Sequence, residues 1–376
     1  MPQQILAAVL NSAPGKLILE SLTLDDPGPD EVLIDVHFAG LCRTDLHEME
    51  GVWPTTYPTV LGHEASGVVR QVGERVSSFR AGDHVVTCFT AFCGECRFCI
   101  SGRMSLCINR DELRRRSQPV LTNAAGQPVH PMAGLGAFAE AMVVHQHSVV
   151  RIPDSMPLAA ASVLGCAVVT GVSAVFRSAR VEPGASVAVL GCGGVGIAAI
   201  QGARLAGAAQ IIAVDTNASR LVDAVKFGAT HTVQAGSVDT VEAVRDLTGG
   251  GVDYSFEAIG FSSTVEQAFA MLGPAGTATV LGMVPDSQPV TIRASELFAM
   301  EKRLQGTVMG GNQFPTDIPR YVSFYEQGKL LLDEMLSDVI DLQGINGGFE
   351  LMGSGGLTRV LVDVVGSVQS LREGVT

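Results

Sequence analysis

The stretch Val187-Ala-Val-Leu-Gly191-Cys-Gly193-Gly-Val-Gly196 decides the fold. An apolar run, Ser186–Leu190, leads into Gly-x-Gly-x-x-Gly, and Val195–Ala206 carries helical periodicity, so the glycines fall between a strand and a helix. Gly191 allows a tight turn, Gly193 lets backbone approach a pyrophosphate, and Gly196 permits close packing of helix on sheet. The helix N-terminus, opened by Gly194 and Val195, offers free N–H donors and a partial positive charge to phosphates. Taken alone the pattern is weak in a chain with 43 glycines. Its context makes it strong. Asp215 ends the next apolar strand, and an acid there accepts hydrogen bonds from both ribose hydroxyls and repels a 2′-phosphate, which favours NAD over NADP. The competing role for Asp215 is a helix cap before Asn217. Arg220 lies either near the adenosine ribose or on a solvated helix face.

Working outward, strand and helix alternate on both sides of this core. After Ile211–Val214 come Arg220–Phe227 (helix), Thr230–Val233 (strand), Val238–Leu247 (helix), Val252–Glu257 (strand), Ser263–Leu272 (helix) and Thr277–Leu281 (strand). Apolar strands separated by helices of this length predict a parallel sheet covered on both faces. Arg303–Met309 would be its sixth strand. The first 150 residues read differently, as short strands (Ile5–Leu10, Leu17–Leu24, Glu31–Ala39, Gly67–Val72, His84–Cys88, Phe138–His145) broken by Gly, Pro and Asp. They predict a β-rich domain, with a distorted barrel as its form. The closing strand Arg359–Val365 resembles that half. The boundaries expected are 1–167 for the β-rich domain, 168–311 for the doubly wound domain inserted in it, and 312–376 for the return. Residues 108–135, with Arg114-Arg115-Arg116, read as a surface excursion whose basic run is a solvated face or, less favoured, a contact for a substrate carboxylate.

Composition narrows the function. At 376 residues, two or three domains are expected, and 47% apolar against 17% charged residues argues against disorder. A net charge of −13 opposes a phosphate backbone, so nucleic acid is a poor partner. The longest apolar candidate, Leu158 to Phe176, is interrupted by Gly165 and Gly171, and Met1–Ile5 lacks a signal-peptide pattern; a cytoplasmic protein without membrane contact is the expectation.

Eight cysteines sharpen it. Cys93, Cys96, Cys99 and Cys107 form C-x₂-C-x₂-C-x₇-C, a spacing that folds a short lobe around one tetrahedral zinc ion with every coordination position filled. Such a site orders a lobe but takes no substrate. Cys42-Arg43-Thr44-Asp45-Leu46-His47, Gly62-His63-Glu64 and Gly165-Cys166 are scattered, and on spacing alone Cys42 and Cys166 read as buried packing cysteines and His63 as a satisfied core histidine.

Together these motifs resemble the zinc-dependent alcohol dehydrogenases of the medium-chain dehydrogenase/reductase superfamily, over nearly the whole chain. The resemblance implies a Rossmann-type domain inserted in a β-rich GroES-like catalytic domain, with two zinc ions per chain and NAD. It implies that Cys42, His63 and Cys166 hold the catalytic zinc, leaving a fourth position for water or substrate, with Asp45 and Glu64 orienting the histidine and modulating the metal. Thr44 would bond the substrate oxygen and pass its proton toward the cofactor ribose; His47 would relay it to solvent. Arg43 and Arg359 would bind pyrophosphate, a role that suits a guanidinium. Trp53, Phe89, Phe138 and Met283 would line an apolar pocket for a primary or aromatic alcohol. Cys88 and Cys192 match no ligand position. Oxidation of a formaldehyde–thiol adduct is the alternative, disfavoured because Gly51-Val52-Trp53-Pro54 offers no acid. A non-enzymatic nucleotide sensor is a further class, disfavoured by the complete ligand set. The exposed sheet edge at Arg303–Met309 and the family likeness imply a homodimer or homotetramer.

Overall fold

The computed structural model describes residues 2–355 and 358–366. It divides into two compact units, one of Met1–Cys166, Phe314–Tyr325 and Leu332–Thr376, the other of Ala167–Gln313 and Glu326–Leu331. In chain order the strands are β1 Gln3–Leu10, β2 Ile18–Leu24, β3 Glu31–Gly40, β4 Thr59–Val60, β5 Ala65–Val72, β6 His84–Thr87, β7 Leu121–Thr122, β8 Pro128–Pro131, β9 Ala141–His145 and β10 Val149–Arg151. There follow β11 Ser186–Leu190, β12 Gln210–Asp215, β13 His231–Gln234, β14 Val252–Glu257, β15 Leu272–Val280, β16 Arg303–Gly306, β17 Leu336–Asp341 and β18 Arg359–Asp363.

In the first unit β1, β2, β7, β8 and β4 close a barrel, while a second sheet runs β10-β6-β5-β3-β18-β17 with β9 also on β3. Strand β3 shows why two cores form. Its side chains alternate, so Val32, Ile34 and Val36 enter one apolar cluster and Leu33 enters the other. Truncating a buried residue such as Ile34 to Ala costs roughly 2–5 kcal/mol. Residues 108–135 are not the excursion expected: β7 and β8 are staves of the barrel, because Leu121 and Val129 are buried beside Ile5, Leu22 and Leu24. Nor is the basic run a solvated face. Arg114 donates to the Phe89 carbonyl at 2.8 Å, and Arg116 bonds Asp25 and pairs with Glu31, leaving Arg115 exposed.

The second unit is a six-stranded sheet in the order β13-β12-β11-β14-β15-β16, every pair parallel. This order reverses direction between β11 and β14, the place where open α/β sheets bind ligands at the carboxyl ends of their strands. The sixth strand stops at Gly306, where Met309–Gly311 turns with positive φ at Met309 and Gly310. Eight residues of the expected return, Asn312, Gln313 and Glu326–Leu331, belong to this unit instead. The Gln201 side chain brackets Leu331, accepting from its N–H at 2.7 Å and donating to its carbonyl at 3.1 Å, and Arg204 donates to Lys329 O at 2.6 Å. Among the described residues no single helix is long and apolar enough to cross a membrane.

Candidate active site

Among the described residues, two groups of side chains able to hold a metal ion gather in the first unit. Cys93, Cys96, Cys99 and Cys107 place their sulfurs within 4.8 Å of one another, and Cys42, His63 and Cys166 do the same with two sulfurs and a ring nitrogen. In the four-cysteine lobe, Cys93 Sγ is 3.9 Å and Cys96 Sγ 3.5 Å from Cys99 Sγ. A tetrahedral zinc with bonds of about 2.3 Å spaces its sulfurs by roughly 3.8 Å, so the thiols already sit at coordination distance. Backbone N–H groups donate to sulfur, Cys93 N to Cys107 and Cys96 N to Cys93, each at 3.3 Å. Amides aimed at Cys96, from Cys99 first and Ile108 next, bring its thiol down to about 6. Donors aimed at sulfur stabilise thiolates, which is what zinc requires.

The three-ligand site is assembled by a hub. Cys42 is the N-cap of the helix Arg43–Glu50 that follows β3. Asp45, wholly buried in the first turn, accepts from Cys42 N at 3.1 Å, from Gly62 N at 3.0 Å and lies 3.2 Å from His63 Nδ1. With Nδ1–H donated to the carboxylate, Nε2 is left for a metal. Thr87 fixes the same histidine from behind, donating to its carbonyl at 3.0 Å and accepting from Ala65 N at 2.9 Å. Gly165 brings the third ligand in: a Cβ there would meet Thr87 O at 2.7 Å. Burial pulls the His63 ring down, but the Asp45 carboxylate and the Cys42 sulfur outweigh it and hold the ring well above the usual histidine range. A hydrogen bond between the thiols holds Cys42 well below the usual cysteine range and Cys166 well above it, so the pair shares a proton that a cation would displace. The donor set, two thiols and an oriented imidazole, fits zinc with a position open.

Around this centre, Thr44 Oγ1 lies 3.6 Å from Cys42 Sγ, and half-buried His47, one turn on, has Nδ1 3.4 Å from Glu50 Oε2. Phe89 sets its ring edge-on to His63 at 5.0 Å. Half-buried Trp53 has an indole N–H without a partner among the described residues, and Arg43 is exposed. Two expectations change. Arg359, expected at pyrophosphate, is buried with its guanidinium committed to Leu41 O at 2.9 Å and Glu64 Oε2 at 3.0 Å. Burial works against its charge, but Glu64 and both cysteines hold its pKa above the usual value. Phe138, expected in the pocket, has no exposed surface and packs against Phe349 at 6.0 Å, because its backbone is pinned between Leu61 and Ala8. Met283 belongs to the second unit and is 48% exposed on the turn after β15. Sequence reasoning missed Thr87 and Glu48. Glu48 is half-buried, accepts from the Thr55 hydroxyl, and is raised by burial and by nearby Asp45. Its signal was its place one turn beyond Asp45 on the same helix.

In the second unit the glycines take the places expected. Gly191 has φ of +91°, Gly193 faces open space, and a Cβ on Gly196 would lie 1.7 Å from Gly191 O. Asp215 ends β12, accepting from Cys192 N at 2.8 Å and Asn217 N at 2.9 Å, with Arg220 Nη1 3.8 Å away. Cys192 and Cys88 are buried, their thiols raised by burial to about 12 and about 11.

Residues 28–154 match the alcohol dehydrogenase GroES-like domain and residues 194–326 match the zinc-binding dehydrogenase family. The probable S-(hydroxymethyl)glutathione dehydrogenase 1 of Schizosaccharomyces pombe is 37% identical over 365 residues, 95% of this chain and 96% of that protein. Among solved structures, the alcohol dehydrogenase zinc-binding domain protein of Burkholderia ambifaria is 34% identical with a TM-score of 0.93, covering 97% of this chain and 100% of its own. The benzyl alcohol dehydrogenase of Acinetobacter calcoaceticus is 29% identical with a TM-score of 0.90, covering 96% and 100%. With two zinc-type ligand sets and a dinucleotide-type sheet in one chain, the protein belongs to the zinc-dependent alcohol dehydrogenases of the medium-chain dehydrogenase/reductase superfamily, and it is an oxidoreductase.

Proposed function

We propose that the chain oxidises primary or aromatic alcohols to aldehydes with NAD, at Cys42, His63 and Cys166. The observation that carries this is the convergence of those three buried side chains, from distant parts of the chain, within 4.8 Å of one another. When bound, zinc supplies Lewis acidity to the alcohol hydroxyl and NAD supplies the hydride acceptor. Thr44 holds the substrate oxygen at Oγ1, accepting its proton while passing the hydroxyl's own proton onward. His47, a turn further along the helix and partly open to water, delivers that proton to solvent. Asp45 keeps the His63 proton on Nδ1, and Arg359, held by Glu64, fixes the Leu41 carbonyl that precedes Cys42. Phe89 and Trp53 form the apolar wall for the substrate body. Arg43, exposed where Arg359 is not, is the pyrophosphate arginine, and Asp215 selects NAD by repelling a 2′-phosphate.

A second reading, oxidation of a formaldehyde–thiol adduct, draws on the name of the S. pombe relative. Glu48 supports it as an acid near the site, whereas Arg114 and Arg116 are engaged with the protein's own groups. We further read the chain as a cytoplasmic homodimer or homotetramer, with the outer edge of β16 open to a second copy.

The test mixes the zinc-loaded protein with NAD and a panel of benzylic, aliphatic and S-hydroxymethyl thiol substrates and follows absorbance at 340 nm. Fastest turnover of benzylic or long primary alcohols supports the first reading. Turnover confined to the thiol adduct replaces it with the second, and silence across the panel removes both. Light scattering reads the oligomer; a monomer at micromolar concentration removes that assignment.

A further inference from the structure

The second unit holds a buried acid that no motif singled out. Glu257 ends β14, beside β11 where the strand order reverses, and has no exposed surface. Its Oε1 accepts three hydrogen bonds, from Ile259 N at 2.9 Å, Gly260 N at 2.8 Å and Thr264 Oγ1 at 2.7 Å. Its main-chain carbonyl accepts two more, from Leu281 N at 2.8 Å and Gly282 N at 3.0 Å. One residue therefore ties the turn after β14 to the turn after β15.

Those turns are in direct contact. A Cβ on Gly282 would lie 2.3 Å from Gly260 N and 2.6 Å from Glu257 Oε2, and one on Gly260 would lie 2.9 Å from Met283 O. The turn after β14 also reaches the glycine loop, since a Cβ on Gly191 would meet Ile259 Cγ1 at 2.6 Å. Burying a carboxyl group costs free energy that hydrogen bonds must offset. Here they offset it on one oxygen only, for Oε2 has no partner among the described residues. An interior acid kept on such terms, at the ligand-binding end of a parallel sheet, is explained by the turns it holds.

A doubly wound sheet binds a dinucleotide in two halves, and while the glycine loop and Asp215 serve the first, β14 and β15 belong to the second. The turns after β14 and β15 present Ile259 and Met283, 41% and 48% exposed, as an apolar shelf. We propose that Glu257 is a positioning residue for the nicotinamide half of the cofactor: it clamps residues 258–260 and 281–283 into that shelf. This rests on the NAD reading above.

The test titrates the zinc-loaded full chain with NAD and, separately, with AMP, which occupies only the adenosine half, by calorimetry. Glu257→Leu is expected to weaken NAD about tenfold or more, the cost of leaving several donors without an acceptor, while AMP binds as in the wild type. Glu257→Gln, which keeps the accepting oxygen, recovers most of the loss. Gly282→Ala, which drives a methyl group into the clamp from the other side, reproduces the Glu257→Leu pattern and serves if that variant does not fold. Equal losses for AMP and NAD, or NAD binding within about twofold of wild type in both variants, overturn the role of Glu257. A wild type that binds neither nucleotide removes the dinucleotide reading beneath it.

Discussion

The two metal sites of the first unit use the same chemistry and differ in one coordinate position. The lobe of Cys93, Cys96, Cys99 and Cys107 supplies four sulfurs within fifteen residues, enough to surround an ion completely. The site of Cys42, His63 and Cys166 supplies three ligands drawn from the end of β3, the approach to β5 and the segment after residue 165. The first can fold locally and leaves nothing for a substrate. The second exists only once the sheet has closed, and it keeps a place for an oxygen. The supporting groups differ in the same sense: backbone amides point at sulfur in the lobe, whereas a buried aspartate, a threonine and an Arg–Glu pair hold the open site. Structural and catalytic zinc are thus distinguished by how many ligands the fold delivers, and by how stiffly.

Removing ligands should break the comparison most sharply. Cys42→Ala is expected to lower kcat/KM about 10³-fold or more, about 4 kcal/mol of transition-state stabilisation, with NAD affinity unchanged. Steady-state kinetics and metal analysis check this, and a variant that keeps a tenth of the activity would contradict the role of Cys42. The matching change in the lobe, Cys99→Ala, should instead act on stability. We expect one zinc per chain instead of two, and a melting midpoint lower by roughly 6–12 °C for about 3 kcal/mol lost. Scanning calorimetry with zinc analysis decides; an unshifted midpoint would mean the lobe adds nothing to folding.

Asp45→Asn probes the support rather than the ligand. Asn keeps one acceptor oxygen where Asp45 offers two, Oδ2 to Cys42 N and Oδ1 to Gly62 N, and it no longer fixes the imidazole with a charge, so activity should fall roughly 10–100-fold with zinc largely retained. Zinc lost in proportion to activity would show that Asp45 serves affinity alone. In the second unit, Asp215→Gly should narrow the preference for NAD over NADP by about tenfold, read as a ratio of kcat/KM values, and an unchanged ratio would leave Asp215 as a turn residue.

The smallest effect expected is on pH. His145 is pulled to about 4, chiefly by burial and then by neighbouring His147, whose ring stacks on Phe92 at 5.1 Å at the root of the lobe. A histidine depressed in the fold favours the native state fully above its unfolded value of about 6.5 and loses that contribution as pH falls toward 4. His145→Gln should flatten the acid side of the stability profile over that window by about 1 kcal/mol. Urea titrations at pH 7 and pH 5 check it; equal slopes in both proteins would assign the acid loss to other groups.

Legibility in the sequence followed the range of the forces involved. The glycine loop, Asp215 and the cysteine lobe were readable because their partners are neighbours in the chain, where turn geometry and ligand spacing leave a local pattern. The alternation of strands and helices announced the parallel sheet for the same reason. The scattered ligands Cys42, His63 and Cys166 were assigned only through family resemblance, since nothing in their spacing says that three distant segments meet. Arg359, Phe138 and Arg114 were misplaced because burial is a property of the whole packed unit: a guanidinium and a phenyl ring read alike in sequence whether they face a ligand or a core. Glu257 went unnoticed because its partners include the turn after the following strand. Side-chain chemistry and local spacing therefore determined what this protein can bind, while the closing of its sheets decided which of those side chains meet, since contacts between remote segments form only when the apolar faces between them pack.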